Sequence, residues 1–129
     1  MQQTEPPSGA GAGAPENDSS SLERLKRFGG GKLLGEMIAL FLSTAVERIG
    51  AARRGVEAGD AKAAEMAFHS LKSSSAQLGA VQMQQLSERG ERLANSGSLD
   101  GLEHIIRDLE AEFPRVQDWF ERARTAEAP

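Results

Sequence analysis

The feature that most restricts the fold is where proline is missing. The chain has five prolines: Pro6, Pro7 and Pro15 near its start, Pro129 at its end, and Pro114 standing alone. Between Ser20 and Phe113 there is none. Proline removes a backbone donor and clashes with the preceding turn, so a long proline-free run leaves long helices permitted. The same run is poor in Val, Ile and Thr and rich in Ala, Leu, Glu, Arg and Gln, which favours helix over strand.

Glycines and small polar residues divide the run. Residues 1–19 are Gly, Pro, Ala and polar, too little apolar surface to offset ordering, and are expected as a disordered tail. Ser20 and Glu23 have capping-box spacing, which predicts a short helix to about Phe28, ended by Gly29–Gly30–Gly31. A long helix is expected from Lys32 to Ala58, with Leu34, Ile38, Phe41, Ala45, Ile49, Ala52 and Val56 on one buried stripe. Gly59 closes it, and Asp60 is the next N-cap candidate. Ala61 to Leu78 forms the next helix, with Ala64, Ala67, Phe68, Leu71 and Leu78 inward and Gly79 at the turn. Val81 to Asn95 follows, with Met83, Leu86 and Leu93 inward; Gly90 on that stripe predicts close approach of a neighbouring helix.

After a turn at Ser96–Gly97–Ser98, a last helix is expected from Leu99 to Arg124. Its stripe is Leu102, Ile105, Ile106, Leu109, Phe113, Val116 and Phe120, with a kink or short break at Pro114. Four amphipathic helices on short loops make an all-α, antiparallel four-helix bundle with a short extra N-terminal helix. The domain is expected over residues 20–124, with 125–129 as a C-terminal tail.

Composition excludes several functions. There is no cysteine, hence no disulfide scaffold, thiol nucleophile or thiolate metal site. The net charge of −4 without a basic stripe argues against nucleic-acid binding. The apolar run Met37–Leu42 is too short to span a bilayer, and the N-terminus lacks a signal-peptide pattern, so a cytoplasmic location is expected. Gly29 to Lys32 lacks the P-loop spacing, so no ATP-dependent autokinase activity is expected. A carboxylate-bridged metal bundle needs Glu three residues before His, but those positions are Met66 and Gly101; no metal site is expected.

The chemistry falls to His69. At roughly 100° per residue, with Leu71 at the centre of the buried face, His69 lies about 160° away and points to solvent. Lys72 and Ser73, three and four residues on, are its neighbours on the helix surface. Lys72 can stabilise an anion at the ring, while Ser73 and Ala76 leave it uncovered. A neutral imidazole is a nucleophile near pH 7, and an incoming phosphoryl group needs a clear approach and a nearby cation. His104, also outward, has Glu103 before it and Asp108 four residues on, and reads as a solvated surface residue. The charges in Arg48–Arg54 and Arg89–Arg92 read as solvated faces.

The segment His69–Gly79 resembles the signature of histidine-containing phosphotransfer (HPt) domains, His-x-Leu-Lys-Gly-Ser-Ser/Ala-x-x-Leu-Gly. The match lies at His69, Leu71, Lys72, Ser74, Ser75, Leu78 and Gly79. The chain from about Leu22 to Arg124 is similar to that family in its helix pattern. The resemblance implies a phosphorelay intermediate: His69 takes a phosphoryl group from a receiver phospho-aspartate and passes it to another, Lys72 screens the charge, and the surface at Ser73 admits the receiver. Ser73 departs from the usual glycine; serine is the next smallest polar residue, so transfer is expected to survive there, at a changed rate or partner preference at most. Some relatives carry a glutamine where Glu91 stands; a carboxylate does not help an incoming phosphoryl group, so no role is expected of Glu91. Expected partners are receiver domains of hybrid sensor kinases and response regulators. No cofactor of its own is expected, the Mg2+ belonging to the receiver, and the chain is expected to be a monomer. The competing reading is a non-catalytic helical adaptor that has no need of His69.

Overall fold

In the computed structural model, which describes residues 16–125, the proline-free run folds into long helices. They are α1 (Ser20–Glu57), α2 (Ala61–Leu78), α3 (Val81–Asn95) and α4 (Leu102–Thr125). Each packs on its chain neighbours and α4 returns to α1, so the bundle closes into a ring with α1/α3 and α2/α4 on the diagonals. The expected all-α antiparallel bundle is observed. Residues 1–15, most of the stretch read as a tail, lie outside the described residues, as do 126–129. Among the described residues no helix is long and apolar enough to cross a membrane.

The short N-terminal helix is the first arm of α1. Two helical segments meet at the glycine triplet, where Gly30 takes φ 77° and ψ −174°, which separates the arm at 20–29 from the shaft at 31–57. That backbone conformation is open to glycine without steric cost. The expected capping box of Ser20 and Glu23 does not form, because the helix begins one residue earlier and places Leu22 at the third helical position. Ser19 is the N-cap and makes no side-chain cap bond, while the Asp18 carboxylate accepts the Ser20 N–H at 3.0 Å. Asp18 and Asn17 also tie this end to the α2–α3 turn. The Asp18 N–H donates to the Gly79 carbonyl at 2.9 Å, and Asn17 Oδ1 accepts the Val81 N–H at 3.0 Å. Asn17 thus supplies the side-chain cap that Ala80, the N-cap of α3, cannot. A Cβ on Gly79 would run into the Asp18 carbonyl.

Most of the predicted stripes are buried. Leu34, Ile38, Phe41, Ala45, Ile49 and Ala52 line the core from α1, and Ala64, Ala67, Phe68, Leu71 and Leu78 from α2. Val56 is only partly buried; Gly55 takes the inner place, where a Cβ would stand 2.9 Å from the Ala64 backbone nitrogen. Phe41 meets Phe120 edge-on, ring centres 5.4 Å apart, and joins α1 to α4. Gly90 does mark a close approach: its missing Cβ would lie 2.7 Å from the Phe68 ring.

Three expectations for α4 are corrected. It starts at Leu102 rather than Leu99, because Gly101, at φ 86°, lies outside helical space. It runs unbroken through Pro114. The carbonyl that loses its partner there is that of Glu110, four residues back and on the exposed face, where water can satisfy it. And the inner stripe runs Leu109, Glu112, Val116, Phe120, with a carboxylate at 7% exposure in a core position and Phe113 only partly buried.

Candidate functional site

Helix α2 is fixed at both ends by local chemistry. Asp60 accepts the Ala63 N–H at 3.0 Å, as its sequence position suggests, and Gly79 closes the other end in the left-handed region. With Phe68 and Leu71 wholly buried, the helix has one rotation available, and it turns His69 outward. The imidazole side chain is 62% exposed. Ser73, one turn on, is exposed and its hydroxyl makes no hydrogen bond among the described residues.

On the α3 side of the histidine stands Glu91. Its Oε2 lies 2.8 Å from His69 Nδ1, and its Oε1 lies 2.7 Å from Lys72 Nζ. One carboxylate therefore bridges the two residues singled out for chemistry. The Lys72 ammonium first, then the His69 ring, hold the Glu91 carboxyl below the usual carboxylate range, against the opposing effect of burial. An ionised carboxylate only accepts, so His69 Nδ1 carries the proton and donates it to Glu91. In the neutral ring the lone pair is then on Nε2, which has no partner among the described residues. The arrangement suits in-line attack on an electrophile arriving from solvent.

The expectation that Glu91 has no part in the site is corrected in its geometry: the residue touches both His69 and Lys72. Its charge disfavours an approaching anion, but its carboxylate stands within hydrogen-bond distance of the ring, which charge alone does not reveal. The signal was present in the sequence. Residues at similar distances from the Gly79 turn face each other across an antiparallel pair: Phe68 and Gly90 stand eleven residues either side of it, and His69 and Glu91 stand ten and twelve.

On the α1 side, Arg48 Nε donates to Ser70 Oγ at 2.9 Å, and Ser74 Oγ donates back to the Ser70 carbonyl. Arg48 was read as part of a solvated face, and it is half-buried. His104 is 78% exposed with Nε2 3.6 Å from Asp108 Oδ2, the acidic surface setting its sequence neighbours imply.

No curated protein sequence matches this chain. A family model described as the Hpt domain matches residues 36–124, which takes in most of the shaft of α1 and nearly all of the three helices after it. Among solved structures the chain is similar to the crystal structure of histidine-containing phosphotransfer protein B (HptB) from Pseudomonas aeruginosa PAO1. The two are 27% identical, with a TM-score of 0.81, over 88% of this chain and 97% of that one.

Proposed function

Because the chain belongs to the Hpt domain family and is a histidine phosphotransfer intermediate of phosphorelays, we propose that His69 Nε2 is the atom that carries the phosphoryl group. The observation that carries this assignment is the exposed His69 ring with Nδ1–H engaged by Glu91 and Nε2 unpartnered. The donor is a receiver phospho-aspartate. The Nε2 lone pair attacks phosphorus, the bond from phosphorus to the aspartyl oxygen breaks, and that oxygen leaves with the electron pair as a carboxylate. The Nδ1 proton stays on the ring and faces Glu91, so the phosphorylated ring bears a positive charge beside an ionised carboxylate. No proton has to move, and the reverse reaction onto a second receiver aspartate needs no further group.

Lys72 supports the transferring charge. It rests on Glu91 at 2.7 Å with its side chain 32% exposed, which holds the ammonium beside the ring. Preorganised cations act where charge arrives. Lys72→Ala is expected to slow transfer by about tenfold while leaving His69 the acceptor. Exposed Ser73 keeps the face beside His69 low and admits the receiver.

We assign the divalent cation to the receiver, not to this chain, and place the protein in the cytoplasm as a monomeric carrier without ATP-dependent autokinase activity. The test is phosphate transfer from a panel of phosphorylated receiver domains to wild type and His69→Gln, followed by intact mass and acid lability. An acid-labile phosphoryl group on wild type alone is expected. Labelling of His69→Gln would move the acceptor elsewhere, and no labelling of a folded wild type would favour the adaptor reading.

A further inference from the structure

Two cations flank His69, and they are in different states. Lys72, on the α3 side, is ion-paired with Glu91. Arg48, on the α1 side, has no carboxylate within ion-pair distance among the described residues; Ser70 is its hydrogen-bond partner. A guanidinium has five N–H donors in a fixed fork, and here Nε alone is used. Ser70 follows His69 directly, so the anchored guanidinium stands at the edge of the face the histidine presents.

The surroundings fit an arriving partner rather than an internal pair. Below Arg48, a shallow groove between α1 and α2 is lined by Met37, Leu40, Thr44, Ser74 and Gln77. Thr44 precedes Arg48 by one turn and Ser74 follows Ser70 by one turn, so the Arg48–Ser70 bond closes the groove's upper end. Leu40 is 59% exposed and Met66, a turn before Ser70, is 63% exposed. A half-buried, single-bonded arginine between exposed apolar side chains is pre-positioned at little further entropic cost.

We propose that Arg48 is the docking cation of this carrier and pairs with a carboxylate of the phosphorylated receiver. This rests on the phosphorelay reading above. A phospho-aspartate held with a divalent cation requires carboxylates around it, since hard cations take oxygen ligands. The donor face therefore carries carboxylates beside the reacting phosphoryl group. Lys72 and Glu91 offset each other, so Arg48 contributes uncompensated positive charge on the approach to His69. Its part is in encounter and orientation, while bond making belongs to His69.

The test separates docking from chemistry by using two phosphoryl donors. One is a receiver domain charged with acetyl phosphate; the other is phosphoramidate, a small donor with no docking surface. Arg48→Glu is expected to lower kcat/KM for transfer from the receiver by about tenfold or more at low salt, with Arg48→Ala intermediate and less salt-sensitive than wild type. Labelling of His69 by phosphoramidate, and the maximal rate at saturating receiver, are expected to stay at wild-type level in both. Ser70→Ala, which frees the guanidinium, is expected to give a smaller loss in the same direction. Wild-type kcat/KM in Arg48→Glu at low salt would overturn the docking role alone. Equal losses with both donors would also overturn it, as damage to the site. A wild type that phosphoramidate labels but no receiver does would remove the phosphorelay reading itself, and the docking role with it.

Discussion

One carboxylate touches both residues singled out for chemistry. Glu91 accepts the Nδ1–H of His69 with one oxygen and the Lys72 ammonium with the other. If its role is to orient the ring, an amide serves nearly as well, because its oxygen also accepts Nδ1–H. Glu91→Gln is therefore expected to keep most of the transfer rate and Glu91→Ala to lose about tenfold, measured by single-turnover transfer at saturating receiver. The same contact bears on stability. The folded-state pKa of Glu91 lies below its ordinary value, so its contribution is fully present above the ordinary carboxylate range and is lost as pH falls through the folded value. Urea unfolding is expected to show wild type more stable than Glu91→Gln at pH 7, with the gap closing in acid. A gap that persists at low pH would mean that the carboxylate's charge is not what stabilises the fold there.

Two helices, not one, build the site, and what sets their spacing is Gly90. The Phe68 ring occupies the space a side chain at position 90 would fill, at 2.7 Å from the missing Cβ. That contact brings α3 close enough for Glu91 to reach His69, one residue along on each helix. Gly90→Ala removes a poor helix former but forces the aromatic ring or the helix to move. The overpacking wins: a net loss of about 1–3 kcal/mol is expected in urea unfolding, together with slower phosphotransfer. An unchanged Tm with slower transfer would show that the helices shift apart at no cost, and the packing argument would fail. Helix existence and the outward turn of His69 were both legible in the apolar spacing. Helix ends were less so. Asp60 caps α2 as read, but the first cap comes from Asp18 and that of α3 from Asn17, a residue 64 positions away in the chain. Local patterns carry no information about a cap delivered from so far.

Across the whole bundle, the oddity is a carboxylate in the core. Glu112 sits at 7% exposure between Leu109 and Val116, and burial pushes its carboxyl up, with Arg115 opposing. A raised folded-state pKa means that the folded chain holds this proton more tightly than the unfolded one. Stability then falls as pH rises from the ordinary carboxylate value through the folded one. Glu112→Gln is expected to raise stability at pH 7 by roughly 1 kcal/mol and to flatten the decline as pH rises above the ordinary carboxylate value, read by thermal unfolding across that rise. Greater loss in the variant at pH 7 would show that the ionised carboxylate has a partner worth its burial. Elsewhere the bundle is closed by surface charge of the ordinary kind. Arg53 reaches Glu103 and Glu110 on α4 at 3.2 and 3.0 Å, and holds the first and last helices together from outside.

The sequence by itself determined the fold class, the four helices of the bundle, the interruption at Gly29–Gly30–Gly31 and the outward direction of His69. Each of these follows from backbone chemistry and apolar periodicity, which act between residues a few positions apart. Only the tertiary structure decided that Glu91 holds the ring, that Arg48 is anchored beside it, and that Glu112 rather than Phe113 faces the core. Those depend on the rotation and separation of helices packed against each other. Rotation is settled by which large side chains fill which gaps, as Phe68 fills the one at Gly90, and no count along a single helix contains that.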